Sequence, residues 1–146
     1  MINYIPRFKW SQDLISNAFV SDETARFLID RGLPEFVPGM TLEFGAYETD
    51  FPDFVIGEDF DVPVFVKNGS DEVWIQSRDS HGDVFVNSSV VLMNHFIARI
   101  LEDRGNLNSD TWSRKIALEL YEADPLAFAA DRTCMWPHVI DRFALN

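Results

Sequence analysis

The sequence predicts an α+β fold in which helices come first, a sheet follows, and helices return. Apolar residues repeat at helical spacing before residue 32, at two-residue spacing between residues 42 and 86, and at helical spacing again from residue 90. The strand-like runs lie too close together in the chain for crossover helices between them, so the strands should pair antiparallel. We therefore expect a largely antiparallel sheet of five to six strands, with two N-terminal helices and two to four C-terminal helices packed on it.

Two helices are predicted before the sheet. Ser11 and Ser21 stand where N-caps are expected, and each is followed by a run with helical spacing. The second helix should end at Gly32, with Pro34 beyond it. The apolar stripes expected to face the core are Trp10, Leu14, Ile15 and Ala18 in the first helix and Ala25, Leu28 and Ile29 in the second.

Five short runs bounded by turn residues predict the strands. They cover residues 42–46, 54–56, 62–67, 73–77 and 84–86. Asn68-Gly69 lies between two alternating runs and predicts a hairpin, with a loop longer than two residues.

Capping signals divide the C-terminal part into helices. Asn87-Ser88-Ser89 should cap a third helix and Asn108-Ser109 a fourth. Asp124-Pro125 places a cap before proline at a first helical position, which predicts a further short helix. An apolar segment at 136–143 closes the chain.

Length and composition are those of one globular domain spanning residues 1–146. Hydrophobic residues make up 47% of the chain and charged residues 25%, which excludes disorder. The longest apolar run, residues 90–93, is far too short to cross a membrane, and the first residues lack a secretory leader. Cys134 is the single cysteine, so no intrachain disulfide can form. We expect a cytoplasmic protein.

The net charge is −12, from 24 acidic and 12 basic side chains. Such a charge repels nucleic acid and anionic membranes and favours basic protein partners. The excess of negative charge is concentrated at residues 43–83, which contain eleven acidic residues and only two basic ones, Lys67 and Arg78. Two interpretations stay open: solvated faces that keep the protein soluble, or a surface that binds a basic partner.

The sequence offers no recognisable catalytic machinery. No two of His81, His95 and His138 lie at the spacing of a helical metal pair. Ser88-Ser89 lacks the small flanking residues of a nucleophile elbow, and the glycines are too scattered for a phosphate-binding loop. We therefore expect no catalytic residue and no cofactor.

The acidic stretch offers two further hypotheses. Its carboxylates could bind calcium or magnesium, although their spacing is not that of an EF-hand loop, so a metal-dependent hydrolase stays an alternative. Phe51-Pro52-Asp53-Phe54 has two interpretations: rings on an acidic turn that contact a partner, or a turn from which Phe54 is buried in the core. We predict no metal ligand and the following partner-binding residues: Asp50, Phe51, Asp53, Glu58, Asp59, Asp61 and Glu72.

Seven short motifs follow one another in a characteristic order. They are Thr24-Ala25-Arg26-Phe27-Leu28 before Gly32-Leu33-Pro34, Val55-Ile56-Gly57-Glu58-Asp59, Val64-Phe65-Val66, Val73-Trp74-Ile75, Phe85-Val86-Asn87-Ser88-Ser89, Asp124-Pro125-Leu126-Ala127-Phe128 and Trp136-Pro137-His138-Val139-Ile140. This order resembles the SUKH superfamily, in particular its fourth immunity-protein group, over residues 21–143. Two positions depart from the group: Phe60, where a small turn residue is common, and Met135, where a second tryptophan is common.

The resemblance implies a non-catalytic immunity protein of a bacterial polymorphic toxin system. Members of the group block a cognate toxin by direct contact, and many of these toxins are basic because they attack nucleic acid. The acidic charge agrees with such a partner. A third alternative is a regulatory or scaffolding module of the same fold that binds another protein, and the oligomeric state stays open.

Overall fold

The computed structural model describes residues 5–77, 82–103 and 110–144. Its largest element is a five-stranded antiparallel sheet, which confirms the α+β class and the antiparallel pairing. Numbered along the whole chain and given in their spatial order, its strands are β3 (Leu42–Phe44), β4 (Phe54–Asp59), β5 (Val62–Val66), β6 (Val73–Ile75) and β7 (Val84–Asn87).

The N-terminal region contains two helices and a separate pair of strands, β1 (Arg7–Phe8) and β2 (Leu33–Pro34). The helices are α1 (Gln12–Ile15) and α2 (Asp22–Asp30). The two expected serine caps are confirmed, since the Ser11 and Ser21 hydroxyls accept hydrogen bonds from backbone N–H groups three residues later, at 3.3 and 3.2 Å.

The first helix differs from its prediction. It ends at Ile15, and Leu14 is 46% exposed instead of facing the core. Trp10 is buried but lies before the helix, where its ring meets Phe8 edge-on at 4.7 Å. The buried residues Trp10 and Ile15 of the predicted stripe therefore do not lie on one helix: Ile15 belongs to α1, and Trp10 precedes it.

Gly32 ends α2 for a steric reason. Its φ is +69°, and a Cβ at this position would lie 2.0 Å from the carbonyl oxygen of Phe8. Only glycine combines a left-handed conformation with such a close approach of two backbone segments.

The C-terminal helices are α3 (Val90–Asp103), α4 (Asp110–Ala123) and α5 (Met135–Ala144), with a 3-10 helix at Pro125–Phe128. Ser89 caps α3, because its hydroxyl accepts a hydrogen bond from the N–H of Leu92 at 3.2 Å. The cap predicted at 108–109 lies outside the described residues.

One continuous cluster of buried side chains joins the sheet to the helices. Strands contribute aliphatic and aromatic side chains such as Phe44, Val64 and Ile75, and α3 contributes Met93 and Ile97. In the described parts of the chain, no helix is long and apolar enough to span a membrane.

A buried polar junction ties the last strand to the C-terminal helices. The carboxylate of Asp124, 3% exposed, accepts hydrogen bonds from Asn87 Nδ2 at 3.0 Å, Ser88 N at 2.9 Å and Ser88 Oγ at 2.7 Å. Asn87 in turn accepts a bond from the indole N–H of Trp136 at 2.8 Å. Asp124 stands at the N-terminal end of the 3-10 helix as predicted, but its side chain makes no cap bond there.

Both edges of the large sheet are covered by segments outside the strands. Phe36 pairs with Glu43 beside β3, and Phe85 of β7 pairs with Cys134. The N–H of Phe85 donates to the carbonyl of Thr133 at 2.8 Å. The outermost strands therefore have backbone partners within the chain.

Candidate functional site

The seven predicted partner-binding residues lie at opposite ends of the sheet. Glu58 and Asp59 end β4, and Asp61 lies in the turn between β4 and β5. Asp50, Phe51 and Asp53 precede β4 and Glu72 precedes β6, at the ends that pair Phe54 with Val66 and Val66 with Val73. Because a six-residue strand spans about 17 Å, the two groups form separate clusters on the protein.

The group before β4 is engaged within the chain. The ring of Phe51 packs on Phe65 with centroids 4.8 Å apart. Asp53 accepts a hydrogen bond from the N–H of Asn68 at 2.8 Å, and Glu72 accepts one from the indole of Trp74 at 3.2 Å. Asp50 is exposed. These contacts hold two loops against the sheet, and the predicted role of the four residues in partner binding stays a prediction.

The β4–β5 turn has an unusual residue at its tip. Phe60 and Asp61 both have positive φ, 49° and 73°. Two-residue hairpin turns of this type favour Asn-Gly, because a side chain in the left-handed region costs about 1–2 kcal/mol. Phe60 adopts this unfavourable conformation although its side chain is 70% exposed.

The turn is fastened to the chain segment before β3. The hydroxyl of Thr41 donates to the carboxylate of Asp59, and the N–H of Phe60 donates to the carbonyl of Thr41 at 3.3 Å. Asp59 is therefore occupied by this attachment, whereas Glu58 and Asp61 line the groove described below.

Next to the turn, four residues form a cross-strand row on the sheet face. Phe36 pairs with Glu43, Glu43 with Glu58, and Glu58 with Pro63. Directly opposed residues of antiparallel strands project from the same face, so the row places two carboxylates side by side. Like charges in directly opposed positions destabilise the pairing.

Gly57 allows β3 and β4 to approach closely beside this row. A Cβ at Gly57 would lie 2.4 Å from the carbonyl oxygen of Glu43 and 2.8 Å from the ring of Phe44. The close backbone approach fixes the register that sets Glu43 opposite Glu58.

The negative field of the two carboxylates acts on a neighbouring phenol. Burial raises the pKa of Tyr47 above its ordinary value of 10.0, and the charges of Glu58 and Glu43 raise the pKa further. The part of this shift that comes from Glu58 and Glu43 reflects the negative potential that the two carboxylates create near the row.

A shallow groove of about 410 Å³ runs beside the turn. Its lining combines acids with exposed apolar side chains, and none of the described residues that line it is basic. We define the hairpin-tip surface as Phe36, Glu43, Glu58, Phe60 and Asp61.

Sequence reasoning assigned only Glu58 and Asp61 of this surface to partner binding. Phe36 and Glu43 lie far from the turn in sequence and reach it through strand pairing. Phe60 did carry a signal, because a bulky residue stands between two strand-like runs where a small residue is usual.

A second exposed ring, Phe19, lies at the other end of the sheet and is 73% exposed. It lines a small groove with Phe51, Pro52 and Asp53. Its similar exposure and distant position make it a natural control for Phe60.

The geometry gives the metal-dependent alternative no support. Within residues 5–77, 82–103 and 110–144, no three His, Cys, Asp or Glu side chains are grouped closely enough to hold a metal ion. His95 and His138 are exposed on α3 and α5, and His81 lies outside the described residues.

The fold and its acidic, aromatic surface are those of an α+β domain suited to contacts with another protein. A family model described as SUKH-4 immunity protein matches residues 8–142, nearly the whole chain. The chain therefore belongs to the SUKH-4 immunity protein family, which confirms the resemblance indicated by the motifs and gives the protein a toxin-neutralising immunity role. No curated protein and no solved structure matches the chain significantly.

Proposed function

We propose that the protein neutralises a cognate bacterial toxin by direct, non-catalytic binding, and that this toxin is a basic protein that acts on nucleic acid in the cytoplasm. Family membership supports the immunity role. The charge distribution supports the basic partner, because enzymes that bind nucleic acid need positive surfaces.

The observation that carries the proposal is the location of the unneutralised carboxylates. Ion pairs between described residues join Arg99 to acids of α3 and α4 and Arg132 to Asp131. None of these pairs uses an acid between residues 43 and 83. The described acids of this stretch therefore take part in none of these ion pairs, and their charge attracts a basic toxin over distances of about 10 Å at moderate salt.

Acids at the two ends of the sheet have different roles in this proposal. Asp50, Asp53 and Glu72 contribute to the long-range field that accelerates association. Glu58, Asp59 and Asp61 lie at or beside the contact. Steering of this kind raises association rates to about 10⁸ M⁻¹s⁻¹ at low salt, and loss of peripheral charges mainly slows association.

The test uses the toxin domain that this proposal expects to be encoded next to the gene. Co-expression with the active toxin should restore growth, and calorimetry with a catalytically inactivated toxin should give a Kd on the order of nanomolar. Because the attraction is electrostatic, the association rate should fall steeply between 50 and 300 mM salt. Failure of the wild-type protein to protect cells or to bind the toxin would refute the proposed function.

A further inference from the structure

We propose that the hairpin-tip surface is the docking site for the toxin, and that it receives an arginine side chain between Glu43 and Glu58 while Phe60 and Phe36 anchor the contact. The inference rests on the proposed function and identifies the surface and the chemistry of its partner. It follows from three features: the opposed carboxylates, the two exposed rings and the groove between them.

The opposed carboxylates give the first argument. Glu43 and Glu58 are direct cross-strand neighbours, so their mutual repulsion opposes the folded pairing. A cation inserted between them interacts favourably with both charges and removes the repulsion. The free protein therefore holds an arrangement that improves when a positive group binds.

The same arrangement favours arginine over lysine. A planar guanidinium can donate to two carboxylates in separate directions and stack on an aromatic ring, whereas an ammonium acts as a point charge. Phe36 pairs with Glu43 on the side away from Glu58, so its ring stands at one end of the carboxylate pair.

The exposed rings provide the apolar part of the contact. Phe60 is 70% exposed and Phe36 is 45% exposed, and both line the groove of about 410 Å³. Aromatic side chains of this kind supply a large share of binding energy when a partner covers them. The left-handed backbone at Phe60 keeps a large ring at a position where Asn or Gly would be more stable.

Charge decides between a toxin and a second copy of this chain as occupant. A second copy would bring an equally acidic surface and a net charge of −12 against the first. Association through the same surface would place four glutamates together. A basic partner is the occupant that complements the surface.

The test compares variants of the full chain in binding to the catalytically inactivated toxin domain encoded beside the gene. Glu43→Gln and Glu58→Gln should each weaken binding about tenfold, because each removes one charge from the cation site. Phe60→Asn should weaken binding about thirtyfold. Asn also fits the left-handed turn, so loss of binding in this variant does not arise from misfolding.

Matched controls separate the docking site from general effects. Glu122→Gln makes the same charge change on the exposed face of α4, and Phe19→Ala removes a ring of similar exposure. Both should bind within about twofold of the wild type, as expected for residues outside the contact.

The stability of the free variants gives an independent readout. Glu43→Gln should raise the Tm of the free protein while it weakens toxin binding, because it relieves repulsion that only the partner otherwise removes. A residue with a purely structural role would not show this opposite pair of changes. A lower Tm for Glu43→Gln would overturn the inferred repulsion.

The two failures are distinguishable. If wild-type protein binds and protects but Phe60→Asn and Glu43→Gln bind equally well, the docking surface is wrong and the proposed function stands. If wild-type protein does not bind, the proposed function is wrong and the inference falls with it.

Discussion

Replacement of Asp124 by alanine should strongly destabilise the protein, because the carboxylate is the common acceptor of the buried polar junction. It is 3% exposed and accepts three hydrogen bonds from Asn87 and Ser88, at 2.7 to 3.0 Å. Alanine removes both carboxylate oxygens and with them all three hydrogen bonds. The side-chain N–H of Asn87, which is fully buried, then has no acceptor. The backbone N–H of Ser88 loses the same acceptor.

The size of the loss follows from these two donors. The buried Asn87 donor without an acceptor costs about 1–3 kcal/mol, and the bond of the half-buried Ser88 N–H to a charged acceptor contributes about 1.5–3 kcal/mol, so the total loss is about 2.5–6 kcal/mol with a central value near 4 kcal/mol. Domains of this size have a total stability of about 5–15 kcal/mol. A loss near 4 kcal/mol therefore removes a large part of the total and lowers the Tm by about 8–16 °C.

Urea denaturation monitored by tryptophan fluorescence measures this loss directly, because Trp136 donates to the same junction. Asp141→Ala, at an exposed position of α5, is the matched control and should change the free energy of unfolding by less than about 0.5 kcal/mol. If Asp124→Ala unfolds within about 0.5 kcal/mol of the wild type, the junction does not stabilise the fold as we argue.

Three further predictions follow from Gly57, Tyr47 and Cys134. Gly57→Ala should lower the free energy of unfolding by about 1–3 kcal/mol in urea denaturation, because its Cβ would lie 2.4 Å from the carbonyl oxygen of Glu43; unchanged stability would contradict the close packing. The raised pKa of Tyr47 means that the native chain holds the phenolic proton more tightly than the unfolded chain, so this contribution to stability is complete below pH 10.0 and is lost as the pH rises through the raised pKa. Ultraviolet titration measures this pKa, and the Tyr47→Phe variant identifies which part of the signal comes from Tyr47. In Glu58→Gln the pKa of Tyr47 should be lower than in the wild type, and an unchanged pKa would refute the assigned field. Burial raises the pKa of the Cys134 thiol, so a disulfide reagent at pH 8 should label it slowly in native protein and rapidly in urea, and equal rates would show that the thiol is accessible.

The strands were predictable because their side chains alternate between two environments. Leu42 and Phe44 face the core while Glu43 between them is exposed, and that period is visible in the sequence. The loop from Lys67 to Glu72 was also expected, since Asn68-Gly69 marks a turn between two such runs.

Other parts of the fold left no periodic signal. The β1–β2 pair contains two residues in each strand, which is too short for any alternation to appear. The segment around α1 shows apolar spacing that a longer helix would also produce, and only tertiary packing shows that Trp10 reaches the core from outside the helix while Leu14 does not.

The candidate site could be located only in part, because its neighbours are defined by strand register. The acidic stretch was visible as composition, but the sequence could not show that Glu43 meets Glu58 while Asp50 lies at the other end of the sheet. A shift of one residue in the β3–β4 register would move Glu43 to the opposite face. The bulge between Val55 and Gly57 adds a further change that no alternating pattern predicts.

The covered margins of the large sheet restrict how any other molecule can associate with this protein. An unprotected outer strand invites a foreign strand to hydrogen-bond alongside it, which is a common start of fibre formation. Here the pairing of Phe36 with Glu43 and of Phe85 with Cys134 occupies those positions. At these positions of β3 and β7 a partner meets side chains, so exchange of a few surface residues there can redirect specificity while the backbone framework stays the same.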